Sequence, residues 1–394
     1  MNRKVHVAGV GMIPFTKPGA SDPYHLMGAR AAKEALRDAG LDYGLVEQAY
    51  VGYVYGDSTC GQAAVYGVGL SGIPVINVNN NCATGSTALF LARQAVESGM
   101  VECALALGFE QMTPGALKSA YTDRPAPMAN FIKAMTDIQG YDEALPRAAQ
   151  LFGGAGRTHM MEFGTRPETF AKIAVKARRH AAKNPFALFR EELSEEQILA
   201  SPMIFDPLTR YQCCPPTCGA AAAIVCSAQF AEKHGLDMRV RIVAQAMTTD
   251  RNSSFDERDM RKVVGYDMTR EAARRVYEAA GVGPEDIDVV ELHDCFTANE
   301  LITYEGLGLT PEGTAEKFIL DGDNTYGGKV VTNPSGGLLS KGHPLGATGL
   351  AQCAELVWHL RGQAGARQVE GARLALQHNL GLGGACVVTM YQAA

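Results

Sequence analysis

Asn80-Asn81-Cys82-Ala83-Thr84-Gly85-Ser86, continued by the helix-spaced run Ser86 to Glu97 and the apolar stretch Cys103 to Leu107, has a counterpart near the other end of the chain. There Gly346-Ala347-Thr348-Gly349 leads into Leu350 to Leu360 and then Leu374 to Gln377. The correspondence extends upstream. Val5 to Met12 reads as a buried strand, Ala31 to Asp38 as a helix stopped by Gly40, and Ala49 to Tyr55 as a second strand. Ile242 to Met247, Glu271 to Ala280 with Gly281, and Ile287 to Leu292 repeat that order. One Ala-rich helix resembling another means little, whereas three elements repeated in one order point to an internal duplication. Alternating strands and helices imply sheets covered by helices on both faces, and so a layered α/β fold. Thr113 to Pro216 has no partner in the other half and includes the basic, helix-like Lys172 to Lys183. Such an insertion on a repeated scaffold is expected to form a cap or binding loop, with a solvated helical excursion as the alternative.

The 394 residues exceed what a single hydrophobic core usually organises, so two or more packed units are expected. The chain is 46% apolar and 20% charged with net charge -6, and no basic run offers an electrostatic footprint for nucleic acid or an anionic membrane. A small-molecule substrate fits better. No apolar stretch is long enough to span a bilayer. The ten cysteines are scattered, and Met-Asn-Arg-Lys runs straight into a strand instead of a secretory signal core. Reduced thiols in the cytoplasm are therefore expected. The C-terminal Tyr-Gln-Ala-Ala is not a peroxisomal Ser-Lys-Leu address. Cys213, Cys214 and Cys218 lack a matching Cys or His pair at zinc spacing, and no metal site is expected.

Cys82 stands between the apolar run Ile73 to Val78 and a helix start, where backbone N–H groups and the helix dipole favour a thiolate. From this segment alone a small buried cysteine is an equal reading. Gly342-His343-Pro344 opens the equivalent helix of the second half. If the halves pack about a pseudo-twofold axis, His343 approaches Cys82, either to take the thiol proton or to hold the thiolate as an ion pair. Glu291-Leu292-His293-Asp294-Cys295-Phe296 ends a strand, the position from which polar residues of an α/β fold enter a ligand crevice. His293 is a candidate donor to a thioester oxygen and Cys295 a candidate proton shuttle, while Asp294 orients backbone or caps a helix. Gln377 to Ala385 reads as a glycine-rich loop without the context of a dinucleotide or phosphate loop, in which Gly381 is placed to aim an N–H at a thioester oxygen. His378 leans towards a structural role.

Together these segments resemble the thiolase superfamily, and within it the SCP2-thiolase subgroup typified by the thiolase domain of sterol carrier protein X. The resemblance spans essentially the whole chain and rests on Gly52 to Gly61, Asn79 to Ser86, His293 to Phe296, Asn324 to Gly328, Asn333 to Gly337 and Gly342 to Gly349. It implies a duplicated thiolase fold of two αβαβα halves with an inserted loop domain that grips coenzyme A. The corresponding division is 1–117 with 217–237, 118–216 for the loop domain, and 238–394. It also implies roles. Cys82 matches the acylated nucleophile and His343 the histidine that activates it. The Cys-x-Gly motif that carries the acid/base cysteine of better-known thiolases is here Asn379-Leu380-Gly381. Cys295 therefore inherits proton transfer, and Cys386 is demoted to a strand residue. His293 with His343 would form one oxyanion hole, and the N–H groups of Cys82 and Gly381 the other. His159, Ser335 and Gly336 are candidate substrate contacts.

The implied reaction is cleavage or formation of 3-oxoacyl-CoA thioesters through an acyl-enzyme, in fatty acid, branched-chain or sterol side-chain β-oxidation. Coenzyme A is co-substrate, no cofactor is permanently bound, and a homodimer or dimer of dimers is expected. Cys218 stands where the family usually has aspartate. Lack of a following sterol-carrier segment makes a free-standing form the expectation. The alternatives are a thiolase-like retro-aldolase, a class that tends to lose the nucleophile, and a non-catalytic acyl-CoA or lipid-binding protein.

Overall fold

The computed structural model describes residues 3–114, 121 and 123–394. Ten strands make one large sheet: β1 (Val5–Met12), β2 (Gln48–Gly52), β3 (Val75–Val78), β4 (Cys103–Glu110), β5 (Gly219–Ser227), β6 (Val240–Thr248), β7 (Val289–Glu291), β8 (Val331–Thr332), β9 (Leu374–Gly381) and β10 (Ala385–Ala393). Their order is β8-β7-β9-β10-β6-β1-β5-β4-β2-β3. Read outward from the β6–β1 seam, each half places its strands first, fifth, fourth, second, third. That palindrome is the duplication in topological form. The seam itself is short, pairing only Val5 with Ile242 and His6 with Arg241.

The helices that matter for the site are α1 (Tyr24–Ala39), α2 (Thr84–Glu97), α3 (Arg147–Phe163), α4 (Pro167–Ala181), α5 (Tyr266–Ala280), α6 (Thr297–Gly306) and α7 (Thr348–Leu360). Strand alternation distributes their packing. In β4, Ala104 and Ala106 face a core containing Ala88 and Ala92 of α2 and Leu350 and Ala354 of α7. Leu105 and Leu107 of the same strand face Ala31 and Ala35 of α1 instead. The second half repeats this, with Ala375 and Tyr391 on the α2/α7 side and Leu376 and Val388 beside Met268 and Ala272 of α5. The layers therefore run helix, half-sheet, helices, half-sheet, helix, with α2 and α7 as the shared middle layer between the two halves of the one sheet. A Cβ on Gly85 would stand 2.9 Å from the Gly346 oxygen and 3.0 Å from the Gly349 nitrogen. The repeated glycines are thus where the two helix starts touch, which small residues alone permit.

Two expectations shift. Gln377–Gly381 is not loop but the end of β9; the turn is confined to Leu382, Gly383 and Gly384, whose two glycines take φ near +100° before β10 begins. Cys386 lies in β10, as expected. The basic helix of the insertion is not a solvated face either. It starts with Pro167 in its first turn and buries Lys176 against Glu300 and Tyr304 of α6. No described residue between Glu110 and Gly219 joins the large sheet. The expected boundary at 117/118 lies outside the described residues. Among the described residues no helix is long and apolar enough to cross a membrane.

Candidate active site

A cavity of about 660 Å³ opens where the insertion meets both halves, and Cys82, His293, Cys295 and His343 all line it. Cys82 sits in the sharp connection from β3 to α2. Asn81 adopts φ +51°, tolerable for asparagine, and its side-chain amide donates to the Leu382 carbonyl at 3.0 Å, tying the loop to the β9–β10 turn. The Thr84 hydroxyl accepts the Asn80 N–H at 2.9 Å and donates to the Asn81 carbonyl. The nucleophile candidate is therefore held by its own helix start. Gly381 approaches from the other half: a Cβ there would lie 2.2 Å from the Asn80 oxygen and 3.0 Å from the Ala83 nitrogen.

His343 is fixed by backbone and side chain. Its N–H donates to the Thr217 hydroxyl at 3.1 Å, and its Nδ1 lies 2.7 Å from Thr348 Oγ1. That hydroxyl donates its proton to the Pro344 carbonyl at 3.0 Å, so it can only accept from Nδ1–H. Nε2 is left bare, buried and without a partner among the described residues. The Cys82 sulfur and one ring nitrogen each of His293 and His343 all lie within 4.8 Å of one another. By donor type the same trio is a ligand set for a thiophilic divalent ion. Burial pushes the Cys82 thiol up to about 12, helped by the nearby Glu110 carboxylate, and pushes His343 down to about 3. Both groups rest neutral, which favours proton transfer on attack over a standing ion pair.

Cys295 is 4% exposed and touches the cavity; burial first, then Cys214, Cys82 and Asp294, hold its thiol well above the usual range. Cys214, whose N–H donates to the Cys295 carbonyl at 2.9 Å, also lines the cavity. Sequence reasoning passed it over as part of a rejected zinc cluster. Glu110 was missed too: it accepts the N–H groups of Val54, Tyr55 and Gly346, joining the two halves beneath Cys82. Nothing in its local sequence marks it.

Other candidates fall outside the cavity. His159 is fully buried between Thr165 Oγ1 at 2.7 Å and Glu305 Oε1 at 3.0 Å, with both ring nitrogens engaged, and does not line the cavity. Ser335 donates through both N–H and hydroxyl to Glu291, and Gly336 packs on Ala181; neither reaches the cavity. None of His159, Ser335 and Gly336, the expected substrate contacts, lines the cavity: His159 joins the insertion to α6, and Ser335 is engaged with Glu291 at the end of β7. Asp294 accepts the N–H groups of Leu338 and Leu339 at the start of the Gly337–Ser340 helix, the capping alternative. His378 bonds Thr269 Oγ1 through Nε2 at 3.0 Å and accepts the His293 N–H through Nδ1 at 3.4 Å, a supporting position. Cys218 donates to the Met112 carbonyl at 3.4 Å within the core.

Family models for the thiolase N-terminal domain and the thiolase C-terminal domain-like region match residues 5–229 and 249–391. Sterol carrier protein 2 of Oryctolagus cuniculus is 58% identical over 393 residues, covering 99% of this chain and 72% of that protein. The benzoylsuccinyl-CoA thiolase subunit BbsB of Thauera aromatica is 38% identical over 97% of this chain and 96% of its own. Among solved structures, an Ltp2-ChsH2(DUF35) aldolase superposes with TM-score 0.82 at 24% identity, covering 100% of this chain and 98% of the other. Human mitochondrial 3-ketoacyl-CoA thiolase, also solved in complex with CoA, superposes with TM-score 0.75 at 19% identity, covering 100% and 98%. At those identities the structural likeness establishes fold only.

Proposed function

The chain belongs to the thiolase family, and from that premise we propose that it cleaves 3-oxoacyl-CoA thioesters through an acyl-enzyme on Cys82, or forms them in reverse. The observation that carries this reading is the Cys82 sulfur within 4.8 Å of a ring nitrogen of His343 in one cavity, the His343 Nε2 having no partner among the described residues. Nε2 takes the thiol proton as sulfur attacks the 3-keto carbon. The oxygen of that carbon meets the N–H groups of Cys82 and Gly381, and each such donor contributes about 3 kcal/mol.

Collapse of the adduct breaks the bond between carbons 2 and 3, and its electron pair passes into the thioester carbonyl as an enolate. His293 and the newly protonated His343 face that oxygen. Cys295 gives its proton to carbon 2, releasing acetyl-CoA or propionyl-CoA. A thiol kept protonated by burial suits so basic an acceptor. Incoming coenzyme A then passes its thiol proton to the Cys295 thiolate, its sulfur takes the acyl group, and Cys82 recovers its proton from His343. Met112, Met128, Leu151, Phe152, Phe296 and Leu382 give the cavity an apolar wall for the acyl chain, consistent with fatty, branched or sterol-derived substrates in β-oxidation. Residues 118–216 are read as the loop domain over coenzyme A. A homodimer or dimer of dimers in the cytoplasm, where the ten free thiols stay reduced, completes the reading.

Intact-mass analysis after mixing with a 3-oxoacyl-CoA in the absence of free coenzyme A tests it. One acyl group should appear on the peptide holding Cys82 and be absent from Cys82→Ala. No acylation would sink the proposal in favour of a binding protein, and cleavage without acylation would favour a retro-aldolase.

A further inference from the structure

A buried hydrogen-bond chain reaches His293 from a group whose polarity is not in question. The Gly349 carbonyl can only accept, so the Gln377 side-chain atom 2.7 Å from it is the amide nitrogen. Gln377 Oε1 correspondingly accepts from the Tyr391 hydroxyl. The second amide hydrogen of Gln377 goes to Ser86 Oγ at 2.7 Å. Ser86, having accepted, donates its proton to Asn379 Oδ1 at 2.8 Å. Asn379 must then present its nitrogen to His293 Nδ1, 3.0 Å away. All six residues are buried. Turning the Asn379 amide round would leave the buried Ser86 hydroxyl proton without an acceptor, so the assignment that uses every donor of the chain is the one in which His293 Nδ1 accepts and the ring proton resides on Nε2.

We propose that Asn379 is a positioning residue that sets the tautomer of His293, making its Nε2 a hydrogen-bond donor to the substrate oxygen and keeping the Cys82–His293–His343 cluster from acting as a metal site. A metal ion needs a lone pair on His293 Nε2. Supplying one requires a proton on Nδ1, where the Asn379 amide hydrogen now points. In metal proteins the opposite arrangement holds, a carboxylate or carbonyl accepting from the remote ring N–H. The difference between the two uses of one Cys-His-His trio is thus the polarity of a single neighbouring atom. Gly349 belongs to the same device, since a Cβ there would stand 2.2 Å from Ser86 Oγ and 2.6 Å from Asn379 Oδ1. The inference rests on the proposed thiolase reading for what His293 donates to, although the tautomer itself does not.

Asn379→Asp reverses the final link, because a carboxylate accepts from both Ser86 and the ring. Long-range nitrogen–proton NMR on histidine-labelled protein, with His293 assigned by difference against His293→Gln, reads the tautomer directly. The proton is expected on Nε2 in the unmodified chain and on Nδ1 in Asn379→Asp. The same variant should bind one Zn²⁺ per chain in equilibrium dialysis, with Cys82 protected from alkylation by the metal, while the unmodified chain under the same conditions does not. Turnover without metal should drop by about 100-fold, the loss of one oxyanion donor. A proton on Nδ1 in the unmodified chain, or no tautomer change in a folded Asn379→Asp, overturns the proposal. Should Asn379→Asp not fold, Ser86→Ala releases the amide to turn and should give both tautomers; a single unchanged tautomer overturns the proposal equally. Since NMR and zinc binding need no catalysis, a chain inactive as a thiolase but showing both changes would refute the reaction and keep the positioning role.

Discussion

His293 and His343 meet edge to face, ring centroids 5.1 Å apart and planes at 85°, while their partners oblige them to offer opposite faces of the same chemistry. The Asn379 amide makes His293 present an N–H, and the Thr348 hydroxyl makes His343 present a lone pair. One ring is therefore built to hold a developing negative charge and the other to take a proton. Two imidazoles in one desolvated site also discourage each other's protonation: after burial, His343 is the next influence holding His293 well below its ordinary value.

Because the Cys82 thiol is pushed up to about 12 and His343 down to about 3, no thiolate–imidazolium pair stands ready in the free protein. The thiolate fraction then rises with pH throughout the neutral range. Inactivation by iodoacetamide should accelerate by about 100-fold from pH 7 to pH 9 without a plateau. His343→Ala should scarcely change that rate while lowering turnover by about 10²- to 10⁴-fold. A plateau above pH 6, abolished by His343→Ala, would restore the ion pair.

Cys295→Ala separates the two halves of the reaction. Attack on a simple acyl-CoA expels coenzyme A as a thiolate, a leaving group far less basic than a carbanion and able to depart without the Cys295 proton, so the acyl-enzyme should still form and be seen by mass. Carbon–carbon cleavage needs a proton at carbon 2 and should slow by about 10²- to 10⁴-fold. Unchanged cleavage would pass the shuttle to Cys214, the other thiol lining the cavity.

The repeat was legible because Cys82-Ala83-Thr84-Gly85 and Gly346-Ala347-Thr348-Gly349 carry the same small residues at the one place where two helix starts touch. The strands closing each half, β5 and β10, were not read as a pair. β5 opens with Gly219 and four consecutive alanines, so the β character of that stretch comes from its neighbours β1 and β4 on either side and not from side-chain propensity. Cys82, His293, Cys295 and His343 were readable from motifs and do converge. Asn379 was noticed only as a missing cysteine, since its role depends on a hydrogen bond from Ser86, far away in the chain, that no local pattern announces. Ser335 and Gly336 were singled out from a motif yet do not line the cavity; Ser335 satisfies Glu291, a buried carboxylate whose need is visible only in three dimensions.

Gly381→Ala tests the contact between halves beneath the nucleophile. The added methyl would meet the Asn80 oxygen at 2.2 Å, so the Cys82 loop must retreat from β9. Thermal unfolding should show a loss of about 1 to 3 kcal/mol, the usual cost of overpacking. Acylation should fall about 100-fold in protein that remains folded, as one oxyanion donor moves away. Normal acylation would remove Gly381 from the site.

His159→Ala distinguishes a substrate contact from a strut. In the fold its ring links α3 to the Thr165 hydroxyl and to Glu305 of α6, and Glu305 also accepts the Ala315 N–H at 3.0 Å. Removing the ring leaves a buried carboxylate short of one partner and opens space among packed side chains. Either effect alone costs about 1 to 3 kcal/mol, so chemical denaturation should show a marked fall in the unfolding midpoint. Kinetics measured well below that midpoint should be nearly those of the unmodified chain, with KM for 3-oxoacyl-CoA changed less than about twofold, because no atom of His159 faces the cavity. A raised KM with unaltered stability would require the insertion to rearrange around substrate and would return His159 to the binding site.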